Sequence, residues 1–150
     1  MTVELRSCRG PDLDVTTLYG LLRLRVEVFV VEQTCPYPEL DGRDLQPETR
    51  HFWLAGPGGE VVSTLRLTAE GGRAEPEFAI SRVCTARHGR RRGHGGMLLR
   101  AALADVGERP CRLNAQTYLT EMYAGHGFVV DGAEFLEDGI PHVPMLRAQP

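Results

Sequence analysis

The stretch Phe78 to Leu99, FAISRVCTARHGRRRGHGGMLL, decides how the rest of the chain is read. It opens on an apolar run of strand length, Phe78 to Val83, and passes into a basic, glycine-rich turn carrying Arg87, Arg90, Arg91, Arg92, Gly93, Gly95 and Gly96. From His94 onward Met97, Leu98, Ala101, Ala102 and Val106 recur at close to helical spacing. Strand, glycine turn and helix in this order present unpaired backbone N–H groups to a phosphate. Glycines admit close approach, the helix N-terminus adds partial positive charge, and arginines add full charges.

Two common phosphate loops fit poorly. A Walker loop needs a lysine, and all 17 basic residues of this chain are arginine. A dinucleotide fingerprint asks for a third glycine at position 98, where Leu98 stands, and for a ribose-binding acid about 20 residues further on.

Bulk properties set the frame. A length of 150 residues is one domain, able to bury a core without disulfides, with 42% hydrophobic and 25% charged residues. Net charge is −3, so the arginine cluster is local and nucleic acid is not expected as a partner. Cys8, Cys35, Cys84 and Cys111 lie far apart without C-x-x-C spacing, which predicts reduced thiols and no metal site. The N-terminus lacks the apolar core of a signal peptide, and no run approaches the roughly 18 apolar residues of a membrane span. A cytoplasmic location without membrane association is expected.

In chain order, Val3–Arg9 alternates as a strand. Asp14 or Thr16 caps a helix with Leu18, Leu21, Leu22, Val26, Phe29 and Val30 on one side, ending near Val31. Glu32 to Leu45, EQTCPYPELDGRDL, is a loop by its prolines and Asp-Gly, and it is rich in carboxylates. His51–Ala55 and Val61–Thr68 are strands about a GPGG turn, and Glu70–Pro76 is another turn. After the central strand and helix, the helix ending near Gly107, come a strand at Cys111–Ala115, a short helix at Tyr118–Ala124, and strands at Phe128–Val130 and His142–Leu146. The loop DGAEFLEDGIP joins the last two. This order predicts an α+β fold whose mixed, mostly antiparallel central sheet of about six to seven strands is flanked by helices.

Arg90-x-x-Gly93-x-Gly95 resembles the (Gln/Arg)-x-x-Gly-x-(Gly/Ala) loop of the GCN5-related N-acetyltransferases (GNATs). Downstream, Tyr123-Ala-Gly-His-Gly127-Phe128 resembles their Tyr-x-x-x-Gly-Phe motif. VFVVEQTCPYPELDGRDL from Val28, LNAQTYL from Leu113 and FLEDGIPHVPM from Phe135 resemble the ElaA-like branch, so the likeness runs from about Leu18 to Met145. It implies a GNAT fold and acetyl-CoA-dependent acetylation of a small-molecule or peptide amine, with a homodimer as an open option.

Acetyl transfer to an amine requires a held thioester, a neutral amine, a stabilised oxyanion and a proton for the departing thiolate. The resemblance implies that backbone N–H groups from Arg91 through Gly93, His94 and Gly95 to Gly96 meet the pyrophosphate, with Arg90, Arg91 and Arg92 adding charge. It implies that the main chain of Val83 and Thr85 pairs with the pantetheine amides. Gln116 stands where relatives often carry an asparagine touching that arm. Tyr123 becomes the expected general acid, against a reading as a core tyrosine beside Phe128. Glu77, near where relatives often carry a glutamate, is the expected base, with Glu32, His51 or a water chain as alternatives. Cys84 is expected in the core.

The acidic residues Glu32, Glu39, Asp41, Asp44, Glu137 and Asp138 are expected either to form an anionic mouth for a cationic amine or to be solvated surface. Tyr37, His51 and His142 join the expected acceptor side, though His142 can equally satisfy a backbone carbonyl. Arg25 and Phe29 fit the Arg-x-x-x-Phe spacing of acyl-homoserine-lactone synthases, the runner-up within the fold; a non-catalytic CoA-binding domain is the alternative of another class.

Overall fold

The computed structural model describes residues 2–71 and 77–148. Strand β1 (Glu4–Arg9) ends at Pro11, within a short 3₁₀ turn. Helix α1 (Val15–Arg25) starts where the Asp14 carboxylate accepts the Thr17 N–H at 2.7 Å, satisfying a donor the helix itself cannot. It continues as π-helical turns over Val26–Glu32, so the helical stretch ends close to where the apolar spacing predicts. Strands β2 (Arg50–Ala55), β3 (Val61–Glu70) and β4 (Glu77–Thr85) follow. Helix α2 (His94–Val106) stops at Gly107, whose φ of 64° suits a residue without Cβ. The chain continues through β5 (Cys111–Gln116), a 3₁₀ turn, α3 (Thr120–Ala124), β6 (Val129–Val130), β7 (Phe135–Glu137) and β8 (Ile140–Arg147). Of the turn expected over Glu70–Pro76, residues 72–76 lie outside the described residues. Among the described residues no helix is long and apolar enough to cross a membrane.

The strands form one sheet in the order β1-β2-β3-β4-β5-β8-β6, with β7 also on β8. Only β4 and β5 run parallel, which is the mixed, mostly antiparallel α+β arrangement expected. The extra strand is β7, in a segment expected to be loop. Asp138 and Gly139, with φ of 50° and 79°, make a tight reversal that folds β7 back onto β8.

Helices cover both faces of this sheet. On one face Leu98, Leu99, Ala102, Leu103 and Val106 of α2 pack on Phe52, Leu54, Leu65, Leu67, Ile80 and Met145. Each large side chain buried there contributes about 1.5–3 kcal/mol. On the other face Leu21 of α1 packs on Trp53 and Ala55, and Leu24 and Val28 pack on Cys84.

A β-bulge in β4 decides which face several residues meet. Pairing with β3 slips between Thr64↔Cys84 and Arg66↔Ser81, and Arg82 takes a left-handed φ of 56°. One extra residue reverses the alternation of side chains. Before the bulge, Phe78 and Ile80 face α2; after it Val83 does so, while Cys84 meets α1. Without the bulge Arg82 would be driven into the apolar layer under α2.

Candidate active site

Parallel pairing of β4 with β5 is confined to Phe78↔Cys111 and Ala79↔Arg112. Beyond that the strands part, and a cavity of about 850 Å³ opens between residues 80–85 of β4 and Leu113, Asn114 and Gln116 of β5. The β5-facing edge of β4 therefore presents main-chain groups with no strand opposite, a surface suited to an amide-bearing arm. Val83 and Thr85 line the cavity as expected. The Thr85 carbonyl, however, already accepts from Arg90 Nε at 3.0 Å.

A second cavity of about 210 Å³ adjoins the first, sharing Thr85, Arg90, Gly95 and Met122 with it, and is otherwise walled by Gly89, Arg91, Gly93, His94 and Gly96. Arg91 and Gly93, at φ of 65° and 77°, turn the backbone so that the start of α2 faces this space. Gly93 provides no side-chain cap. A Cβ built on Gly93 or Gly95 meets nothing within 4 Å, so the space before these glycines is open. Both ring nitrogens of His94 are buried without a partner, and burial followed by the charge of Arg92 lowers the pKa of that ring. Uncapped N–H groups, open glycines and an unsatisfied imidazole together fit the pyrophosphate of an acyl-CoA.

Arg90 departs from its expected role. Its guanidinium makes a two-pronged pair with Glu32 at 2.6 and 2.7 Å, which ties the phosphate loop to the π-helical end of the first helix. The free positive charge at the cradle comes from the exposed Arg91 and Arg92. The Arg90 hydrogen bond holds the Glu32 carboxyl below its ordinary pKa, making Glu32 a poor base.

Tyr123 lies in α3, buried to 5% exposure, with its ring edge-to-face against Phe128 at 6.2 Å. It also lines the large cavity, and no hydrogen bond contributes to the surroundings of its hydroxyl among the described residues. Its ring packs in the core, and the residue also forms part of the cavity wall. Burial, then the neighbouring Tyr118, push its pKa up to about 12, so the proton is retained at neutral pH.

The acidic loop is not an open anionic mouth. Glu39 accepts from Arg25 at 2.8 Å and from Arg82 at 2.7 Å, Asp44 from Arg25 at 2.6 Å, and Asp41 from Arg66 at 2.8 and 2.9 Å. Three arginines offset three carboxylates in a largely buried cluster, and Tyr37 donates its hydroxyl to Glu39 beneath Arg82. The Arg66 hydrogen bonds hold Asp41 well below the ordinary carboxylate range. Burial alone would raise Asp44, but the hydrogen bond and charge of Arg25, with Arg66 behind them, outweigh it and lower its pKa. With Glu32 held by Arg90, Glu137 and Asp138 are the two of the six carboxylates without an arginine partner among the described residues.

Two further expectations fail on geometry. His51 is buried at 1% exposure with Nε2 2.9 Å from the Asp44 carbonyl, and does not line the cavity; it supports the arginine cluster from below. Glu77 begins β4, its carboxylate is held by Arg112 at 2.7 Å, and it is not among the residues lining the cavity.

Gln116, Tyr37, Asp41, Glu137 and His142 all line the large cavity with Tyr123. Arg66 and Arg82 line it too, and sequence reasoning passed over them. Their signal was a charged residue inside an apolar strand run, Leu65-Arg66-Leu67 and Ser81-Arg82-Val83. Phe29 lines the cavity while Arg25 anchors the loop, which gives the Arg-x-x-x-Phe spacing a structural reason. All four cysteines are free, and burial pushes the Cys84 thiol up to about 12, as befits a core residue. Among the described residues no group of three His, Cys, Asp or Glu is placed to hold a metal ion.

Residues 22–148 match the family model described as an acetyltransferase (GNAT) domain. A UPF0039 protein from Mycobacterium tuberculosis is 65% identical over 147 residues, spanning 98% of this chain and 94% of that protein. Protein ElaA from Escherichia coli is 36% identical over 149 residues, 97% of this chain and 96% of ElaA; its crystal structure superposes with a TM-score of 0.90, covering 97% and 99% of the two chains. The crystal structure of an acyl-CoA N-acyltransferase from Pseudomonas aeruginosa, 38% identical, also reaches a TM-score of 0.90 over 98% of this chain and 100% of that one. The uncapped, glycine-lined cradle and the parted strands are thus set in a chain that belongs to the GNAT acetyltransferase family, within its ElaA-like branch.

Proposed function

We propose that this acyltransferase is a single-domain enzyme that moves an acetyl group from acetyl-CoA to a primary amine by direct attack, with Tyr123 as general acid. The carrying observation is that Tyr123 lines a cavity which shares Thr85, Arg90, Gly95 and Met122 with the glycine cradle. The loop from Arg91 to Gly96 would hold the pyrophosphate, and the unpaired edge of β4 would hold the pantetheine arm and present its thioester. Tyr123 gives its proton to the departing sulfur, while the attacking nitrogen releases one of its own. Amines bearing positive charge elsewhere meet at most Glu137 and Asp138, so charge attraction is weaker than the count of acidic residues implies. Free, mostly buried thiols fit a reducing, cytoplasmic compartment.

The test is release of free CoA from acetyl-CoA across a panel of polyamines, amino acids and lysine-bearing peptides, with mass spectrometry of the acceptor. Hydrolysis without an acetylated product would reject the transfer. Cofactor binding has its own test. A Cβ at Gly95 touches no protein atom, and valine is no worse than glycine within a helix. Gly95→Val should therefore fold normally yet lose at least about 10-fold in acetyl-CoA affinity by calorimetry, because its side chain fills the space where the backbone meets phosphate. Unchanged affinity would move the cradle elsewhere.

A further inference from the structure

With Glu77 paired to Arg112 and off the cavity wall, Glu32 paired to Arg90 and His51 buried outside the cavity, the site has an acid and no assigned base. The geometry points to His142 as the group that takes the proton from the acceptor amine, an inference resting on the transfer reading above. His142 is 7% exposed and lines the same cavity as Tyr123. It sits on β8 directly across from Gln116, the last residue of β5 before the chain turns toward α3 and Tyr123.

Its ring is fixed on three sides. Nδ1 lies 2.7 Å from the Ile140 carbonyl, which can only accept, so Nδ1 carries hydrogen. Phe135 stacks on the ring at 5.9 Å, and Glu137 places a carboxylate oxygen 3.4 Å from Nε2. Nε2 is thus the position left to gain a proton. The other charged residues of that hairpin are Asp138 at its turn, whose carbonyl accepts from Cys35, and Arg147 at the far end of β8, while β5 presents the neutral Gln116 across from His142. Sequence reading placed both His142 and Glu137 on the acceptor side; folding β7 onto β8 makes them a pair.

The protons balance. The amine nitrogen bonds to the acetyl carbon and gives one proton to Nε2 of His142; the carbon–sulfur bond breaks, and the sulfur takes the Tyr123 hydroxyl proton. Tyr123 then recovers a proton, and Nε2 loses one, through solvent. An amine arriving as an ammonium ion first gives its extra proton to water.

The test uses the full-length protein and whichever amine of the panel wild type acetylates best. His142→Gln and His142→Ala should lower kcat roughly 10²-fold where chemistry limits the rate, with acetyl-CoA affinity retained. Added imidazole should restore activity to His142→Ala in a saturable way, which a merely structural ring would not allow. Variants within about 3-fold of wild type overturn the assignment, as does lost acetyl-CoA binding in His142→Ala without imidazole rescue. A wild type that binds acetyl-CoA but acetylates no amine of the panel sinks the transfer reading instead, and the base with it.

Discussion

Tyr123→Phe should lower turnover by about 10²-fold or more and leave acetyl-CoA affinity nearly unchanged. The substitution removes one oxygen and keeps the ring that packs edge-to-face on Phe128, so the core is undisturbed. What is lost is a proton donor needed only as the thiolate departs, which appears in kcat rather than in ground-state binding. Because burial raises the hydroxyl to about 12, Tyr123 stays protonated across the usual assay range. The wild-type profile should rise toward alkaline pH, as the amine and the base lose protons, without a falling limb from this residue below about pH 11. Single-turnover kinetics with saturating acetyl-CoA checks both points. Equal rates for the two proteins would return Tyr123 to a purely structural role.

Arg25→Met should destabilise the fold by about 3–5 kcal/mol in urea unfolding. The arginine is 1% exposed and donates to both Glu39 and Asp44, which its removal leaves under-compensated in the interior. Arg23→Ala is the contrasting control: its pair with Glu27 is on the surface at 71% and 56% exposure, and such pairs contribute well under about 1 kcal/mol. The cluster also sets the acid limit of the protein. Asp41 and Asp44 have folded-state pKa values held below those of the unfolded chain. Their contribution is present above the ordinary carboxylate value, about pH 4, and is lost as pH falls through the lowered values. Unfolding should therefore steepen below about pH 4, and Asp44→Asn should flatten that dependence while lowering stability at pH 7. A variant as stable as wild type at neutral pH would show that Arg66 alone suffices for the loop.

The cluster changes how specificity is to be sought. Six acidic residues in two loops suggested an electrostatic funnel, but four of them are bound to arginines, three within a cluster that fixes the loop against α1, β3 and β4. Selectivity then rests on the shape of the cavity between Tyr37, Arg82 and the β7–β8 hairpin more than on the number of acidic residues in its wall. Neutral and cationic amines of similar size should differ little in KM.

Contiguous residues made the glycine-rich turn before α2 legible in the sequence. Arg90 to Gly96 lie between an apolar strand run and a helical repeat, and the order of elements on either side predicted an α+β sheet with helices. Tyr123 was legible as well, since its motif is local to one short helix and the turn after it. What tertiary structure alone decided were contacts between residues far apart in the chain. Arg25 meets Glu39 across 14 positions, Arg66 meets Asp41 across 25 and Arg82 meets Glu39 across 43, and no periodicity records such pairings. The bulge at Arg82 shifts the alternation of β4 by one residue, which sends an arginine toward the loop acids instead of the core. The parting of β4 from β5 that opens the cavity depends on where two strands cease to pair, and the union of His142 with Glu137 depends on a hairpin formed at Asp138–Gly139. Local backbone chemistry fixes a loop from its own residues, whereas an ion cluster or a strand register is fixed by whichever distant partners the packed sheet brings within reach.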